Sequence, residues 1–217
     1  MRTRTHGIFY GWVIALACLL LHFAAGGMTG LGFSLHAPYL REALGLSNSQ
    51  LALIPTFRCL ATMAALPLAE RLSRRCSLRR MLSLSCLALA AVFGGFAFCR
   101  AALPFCLLAI GMGAVYAFGT TVPITVLLHR WFHGRRGTAA SLALSGAGVC
   151  SIAAPPAVAL LIDRLGLQRA FLWEAAAIAL LALLLFLLLR DSPEEMGLRP
   201  LDGPTPESPA PRPKTTG

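Results

Sequence analysis

The hydrophobic residues of this chain form long continuous blocks instead of recurring every three or four residues, as on an amphipathic helix. A helix that crosses the ~30 Å hydrocarbon layer of a bilayer needs about 20 mostly apolar residues. Six blocks have about this length, and they predict spans at about residues 12–36, 50–69, 81–99, 101–128, 138–162 and 170–189. The pattern therefore predicts an all-α transmembrane bundle of six helices.

The composition agrees with lipid as the solvent of these helices. Of the 217 residues, 57% are hydrophobic and 13% are charged, whereas soluble domains carry about 25% charged residues. The net charge of +10 comes from short clusters between the apolar blocks, and no extended basic surface with interleaved aromatic residues accompanies them. This pattern excludes a nucleic-acid partner and favours the lipid bilayer, whose headgroups would meet the clusters.

The basic residues also predict the orientation of the bundle. Loops on one side of the predicted membrane are rich in arginine: Arg2, Arg4, Arg71, Arg74, Arg75, Arg79, Arg80, Arg130, Arg135, Arg136 and Arg190. Loops on the other side hold fewer: Arg41, Arg100, Arg164 and Arg169. Because basic loops stay on the cytoplasmic side, we expect a multi-pass protein of the cell membrane with both termini in the cytoplasm.

The chain changes character near residue 200. Residues 1–200 contain the apolar blocks, and residues 201–217 are polar and rich in proline. Such a segment has too little apolar surface to fold by itself. We therefore divide the chain into a transmembrane bundle over residues 1–200 and a disordered cytoplasmic tail, or truncated central loop, over residues 201–217.

The sequence offers no metal, cofactor or catalytic site. Its 7 cysteines are scattered without a CxxC pair and read as small buried hydrophobes. His129 and His133 have helical spacing, but zinc would need two further ligands. Because no Asp lies inside a predicted span and no motif supports a Ser–His pair, we expect no cofactor and no enzymatic activity.

Three polar segments between the apolar blocks carry a resemblance to a known family. They are LPLAERLSRR at 66–75, RWFHGRRG at 130–137 and RDSPEEMGLRP at 190–200, and they accompany FYGW at 9–12. With these segments the chain resembles the major facilitator superfamily, in particular its bacterial branch related to oxalate/formate antiporters and monocarboxylate transporters. In the first segment, Leu66 and Ser73 stand where the family pattern has glycine, and Glu70 stands where it has aspartate.

The resemblance implies a fold and a function. It implies the N-terminal six-helix half, built from two three-helix repeats, of a twelve-helix secondary transporter. Such a protein moves a small organic solute, here with a carboxylate as the candidate, by alternating access between two halves. The partner would be a second six-helix half or a second copy of this chain. An inactive truncated fragment and a membrane scaffold subunit that transports nothing remain the alternatives.

Arg58 is the main candidate for binding a substrate. It lies near the middle of the second predicted span, where an unpaired cation is costly unless it faces a cavity or a partner. Its planar donor fork suits a carboxylate. The alternative is a structural ion pair with Glu174 of the sixth span, and the two interpretations have equal weight.

Glycines and prolines interrupt the first and fourth spans, at residues 26–32 and 111–123. Interrupted helices at equivalent positions of two repeats indicate a binding site near the membrane midplane, although close helix packing explains glycines equally well. The resemblance implies that these two helices line the transport cavity, which adds Gly30 and Tyr116 to the candidate substrate contacts.

Three further features of the sequence each suggest a role, on less evidence than for Arg58. Glu174 is a candidate for proton coupling, while His36 at the end of the first span favours helix contacts over a proton role. Small residues in the fifth span form two rows at four-residue spacing, which predict a packing seam: Gly137, Ser141 and Ser145, then Gly146, Cys150 and Ala154. The resemblance makes one polar segment a conformational-lock loop that would engage the second half: Glu70, Arg71, Arg74 and Arg75.

Overall fold

The computed structural model describes residues 10–196, without the side chains of residues 31–33, 195 and 196. This part of the chain is helical and contains no strand. The predicted tail at 201–217, the N-terminal arginines and the end of the third polar segment lie outside the described residues. In chain order the helices are α1 (Tyr10–Leu21), a π-helical segment (His22–Met28), α2 (Thr29–Leu44), α3 (Asn48–Arg75), α4 (Leu78–Phe96), α5 (Ala102–Gly119), α6 (Thr121–Trp131), α7 (Arg136–Leu144), α8 (Gly146–Leu165), α9 (Leu167–Leu188) and a short 3₁₀ turn (Pro193–Met196).

The prediction of six spans is confirmed. Six helical stretches are long and apolar enough to cross a membrane: Tyr10–Met28, Asn48–Arg75, Leu78–Phe96, Ala102–Trp131, Arg136–Leu165 and Leu167–Leu188. The second span is longer than predicted, because α3 continues through residues 70–75 and remains helical across Pro55 and Pro67. The segment predicted as a conformational-lock loop is therefore the last part of α3, and the prediction of a loop there was wrong.

Short polar signals set the ends of these helices. Ser47 and Gln50 form a capping box at the start of α3, in which each side chain bonds the backbone of the other residue. Glycines end α2 and α8, because Gly45 and Gly166 have positive φ angles of 64° and 81° that side chains with a Cβ rarely adopt. These local features explain why the turns between spans fall where they do.

The first and fourth spans are interrupted, as their glycines predicted. In the first span, the π-helical segment His22–Met28 joins α1 to α2 and contains Gly26 and Gly27. In the fourth, Thr120 separates α5 from α6 with a non-helical φ of −124° and ψ of −132°. π-Helical turns inside α-helices occur often at functional sites.

Close packing joins the helices in pairs. α3 packs along α5, α4 packs along α9, and α8 packs on the π-helical segment. A Cβ added at Gly146 would lie 2.2 Å from the carbonyl oxygen of Leu19, so this contact requires glycine. Of the two predicted rows in the fifth span, the row of Gly146, Cys150 and Ala154 is buried, whereas Gly137, Ser141 and Ser145 are exposed. The packing seam is therefore the second row alone.

The residues after α9 fasten one end of the bundle. Asp191 accepts hydrogen bonds from the Ser77 hydroxyl and, at 2.7 Å, from the backbone N–H of Arg79, so it caps the start of α4. Trp131 Nε1 donates to the Arg190 carbonyl oxygen at 3.1 Å. The beginning of the third polar segment therefore has a structural role, because it ties the sixth span to α4 and to the end of α6.

Candidate functional site

Arg58 lies in α3, roughly 5 Å from the midpoint of this helix at 1.5 Å per residue, and is half-buried. Its guanidinium carbon is 5.8 Å from the centre of the Tyr116 ring on α5, within the range of a cation–π contact. Its Nη2 lies 3.4 Å from the Sγ atom of Cys59. Among the side chains that the structure describes, no carboxylate lies at ion-pair distance from Arg58.

The approach of α5 to α3 brings Tyr116 to Arg58. A Cβ added at Gly113 would lie 2.1 Å from the carbonyl oxygen of Arg58, so the two backbones touch here. The hydroxyl of Thr62 lies 2.9 Å from that carbonyl oxygen and 3.0 Å from the carbonyl oxygen of Gly113. Because Tyr116 follows Gly113 by nearly one helical turn, its ring projects from the face that contacts α3.

Gly30, the third candidate substrate contact, stands apart from this pair in the chain. It lies on an exposed face near the start of α2, directly after the π-helical segment. A Cβ added at Gly30 would have no neighbour within 4 Å in the described part of the chain. The glycine is therefore compatible with a cavity wall and has no packing reason to be glycine.

Glu174 is buried in α9 and pairs with a histidine instead of an arginine. Its Oε1 atom lies 3.1 Å from Nε2 of His36 in α2, and both side chains are almost inaccessible, at 6% and 1% exposure. Phe171 stacks on the His36 ring, with the ring centres 4.4 Å apart. The alternative ion pair between Arg58 and Glu174 is not formed in this structure.

One oxygen of Glu174 has no partner. Among the described residues, its Oε2 atom is buried without a hydrogen bond. The carboxyl group borders a cavity of about 220 Å³ between α9 and the π-helical segment, lined otherwise by apolar side chains such as Phe23, Met28 and Leu181. A hydrogen-bond donor in the cavity, such as a water molecule, would satisfy a buried oxygen of this kind.

His36 and Glu174 were each noted in the sequence, but not as partners, and His36 was interpreted as making helix contacts. His36 and Glu174 are 138 residues apart, and nothing in the local pattern of either helix indicates the other. A search for a polar partner of each charged residue inside a span would have included both residues. Geometry alone identifies them as partners.

The lock segment is exposed at the end of α3. Arg74 Nη2 donates to Glu70 Oε1 at 2.9 Å across one helical turn, with side chains 71% and 56% exposed. An exposed pair of this type contributes about 0.3–0.5 kcal/mol to stability. Arg71 and Arg75 are also exposed, so the segment presents its charges outward and adds little to the stability of the bundle.

Six spans, three of them interrupted, and an intramembrane arginine with no ion pair among the described side chains are the features of a multi-pass membrane protein of the secondary-transporter class. A sequence model of the Major Facilitator Superfamily matches residues 17–216. The chain belongs to the major facilitator superfamily, and the resemblance seen in its polar segments is confirmed.

Two curated relatives match the same chain. Monocarboxylate transporter 11 of Homo sapiens is 32% identical over 169 residues, which cover 75% of this chain and 34% of the relative. Monocarboxylate transporter 11 of Mus musculus is 31% identical over 169 residues, which cover 75% of this chain and 36% of the relative. The match therefore spans about a third of the length of these relatives.

Proposed function

We propose that this chain is one half of a secondary transporter that moves a small carboxylate by alternating access. Arg58 is its anion-binding residue, and Tyr116 and Gly30 are further parts of the wall that the solute contacts. The observation that supports this proposal is the position of Arg58 beside Tyr116 without an ion pair in the described part of the chain. The name of the relatives, monocarboxylate transporter, agrees with a carboxylate as the solute.

The chemistry of Arg58 favours an anion. A guanidinium inside a membrane-spanning helix costs a few kcal/mol or more unless it is compensated. The Tyr116 ring compensates part of this cost by a cation–π contact, and Nη2 donates to the Sγ atom of Cys59. Because a guanidinium has five N–H donors, others remain for a ligand. A carboxylate accepts two of these N–H groups in parallel, which fixes its orientation as well as its charge.

A second six-helix bundle completes the proposed transporter, either as a separate half or as a second copy of this chain. α3, which carries Arg58, is the least buried of the six spans, with 11% of its apolar window buried. An arginine on such a helix would face lipid without a covering partner. Rocking of two bundles about a cavity between them then exposes the solute to each side in turn.

Glu174 is the proposed coupling group. We also propose, from the arginine-rich loops, that both termini lie in the cytoplasm. Glu174 and His36 form a buried acid–base pair between the first and sixth spans. A proton taken up or released by this pair would change the charge between two helices that must move relative to each other. This supports coupling of the solute to a proton.

Uptake into vesicles that contain the full chain tests the anion site. We expect saturable uptake of radiolabelled acetate, lactate or oxalate, reduced at least about tenfold by Arg58→Gln, since a hydrogen-bonded charge contributes about 1.5–3 kcal/mol. Arg41→Gln is the control, because Arg41 is exposed in the last turn of α2. Carboxylate uptake that is equal in both variants would show that Arg58 is not the ligand, and a preference for neutral solutes would exclude the carboxylate class.

A further inference from the structure

Two apolar grooves lie on either side of α4, near its first residues. The larger groove, of about 630 Å³, separates α4 from the ends of α3 and α5. The smaller groove, of about 380 Å³, separates α4 from α9. Arg80 and Leu84 border both grooves. Because Leu84 is 63% exposed, it forms the ridge between them.

Arg80 places one positive charge at the head of both grooves. It is exposed in the first turn of α4, and no carboxylate among the described side chains lies at ion-pair distance from it. Two described acidic groups at this end of the bundle have other partners: Glu70 pairs with Arg74, and Asp191 accepts from Ser77 and Arg79. Glu194 is exposed and forms no ion pair with Arg80. Arg80 is therefore available to an external anion.

The length of the grooves matches one leaflet of a bilayer. From Arg80 to Ala88, which lines the larger groove, α4 rises about 12 Å at 1.5 Å per residue. Half of a ~30 Å hydrocarbon layer is about 15 Å. A chain that begins at Arg80 and follows α4 would thus cross most of one leaflet before it left the groove.

We propose that α4 binds one anionic glycerophospholipid from the leaflet on the Arg80 side. The phosphate lies on the Arg80 guanidinium, and one acyl chain follows each groove, on either side of Leu84. A cation at one end of two parallel apolar channels is complementary to a phospholipid, which has one charged head and two chains. A small carboxylate solute would fill only a short part of these grooves. A single protein helix would lie over Leu84, whereas the two acyl chains of a lipid can lie on either side of it.

This lipid site is separate from the proposed solute site. Phe118 of α5, which lines the larger groove, lies about 200° around the helix from Tyr116 at ~100° per residue. The proposal depends on the membrane location of the chain and does not depend on what the chain transports. Its failure would leave the role of Arg58 unaffected.

Native mass spectrometry of the delipidated full chain tests the site. We expect dioleoyl phosphatidylglycerol to bind about fivefold more tightly than dioleoyl phosphatidylcholine, and Arg80→Gln to remove this preference. Arg75→Gln is the matched control, because Arg75 is an exposed arginine at the same end of the bundle that lines neither groove. Ala88→Trp, which fills the larger groove, should weaken binding of both lipids while Arg80 is kept.

Several outcomes would overturn the proposal. Equal binding of the two lipids would exclude recognition of the headgroup, and equal losses in Arg80→Gln and Arg75→Gln would indicate general surface charge. Displacement of the lipid by inorganic phosphate would show an anion site without acyl-chain recognition. Formation of a dimer that excludes phosphatidylglycerol would show that a second copy covers α4. Circular dichroism and gel filtration of each variant establish that it is folded.

Discussion

Arg58 and Glu174 both lie within apolar helices of the described part of the chain, and their surroundings differ. Arg58 is half-buried and contacts an aromatic ring, whereas Glu174 is buried beside a histidine. The first arrangement leaves a fixed cation open to a ligand. The second joins a carboxyl group to an imidazole by a hydrogen bond. The proposed anion-binding residue and the proposed coupling residue therefore lie on different helices.

Replacement of Glu174 should change the pH dependence of transport and leave solute recognition intact. Glu174→Gln keeps the shape and a hydrogen bond to His36 but removes the group that can gain or lose a proton. We expect initial rates of carboxylate uptake into vesicles to lose their dependence on an imposed pH gradient, with little change in KM. Vesicle flux at several external pH values measures this.

Glu42→Gln is the control for that experiment, because Glu42 is an exposed glutamate near the end of α2. It should retain the full response to the gradient. A Glu174→Gln variant with the native response would show that the buried pair is purely structural.

At the scale of elements, the contact between α3 and α5 builds the candidate site. Gly113 lets the two backbones meet at the carbonyl oxygen of Arg58, and the Thr62 hydroxyl bridges the carbonyl oxygens on both sides. Of the two interpretations of the glycines, helix packing therefore applies at Gly113. At Gly30 a Cβ would meet no described atom within 4 Å, and the binding-site interpretation stays a prediction.

Gly113→Ala should separate these helices. The new methyl group would meet the Arg58 carbonyl oxygen at 2.1 Å, and overpacking of this kind costs about 1–3 kcal/mol. We expect a lower free energy of unfolding in detergent, measured by loss of helical circular dichroism in SDS. Gly111→Ala on the same helix is the matched control, because its Cβ would lie 3.9 Å from Val92. Equal stability of the two variants would contradict the close contact.

At the scale of the molecule, α3 is unusual because it is long and apolar and, apart from its contact with α5, has few buried residues. Its 28 residues carry Arg58 near the middle, yet most of its surface faces outward. Lipid tails would solvate the apolar side chains of α3 without a penalty in free energy, but they offer no hydrogen-bond acceptor or counter-charge to the Arg58 guanidinium. Among the described spans, the exposed face of α3 is therefore the best candidate for contact with the proposed second six-helix bundle.

A polar substitution on α3 should disrupt that association. Leu60 is 57% exposed on α3, and we expect Leu60→Gln to reduce cross-linking of the chain to a second bundle in native membranes. Leu180 is 69% exposed on α9, and Leu180→Gln should leave cross-linking unchanged. The yield of cross-linked species on a denaturing gel is the measurement. A loss caused equally by both variants would indicate that α3 is not the specific interface.

The sequence determined the number of spans, their approximate limits and the family. These properties are local, because the length of an apolar block and a short polar motif can be read without knowledge of neighbours in space. The glycines of the first and fourth spans predicted interruptions for the same reason, and both are present as the π-helical segment and the break at Thr120.

Only the tertiary structure decided which distant residues meet. It paired Glu174 with His36 instead of Arg58, although all three residues were visible in the sequence. It extended α3 through Arg75, because the apolar pattern ends at residue 69 while the backbone hydrogen bonds continue. Helical spacing fixes which residues share a face of one helix, whereas partners on other helices depend on packing that no single segment encodes.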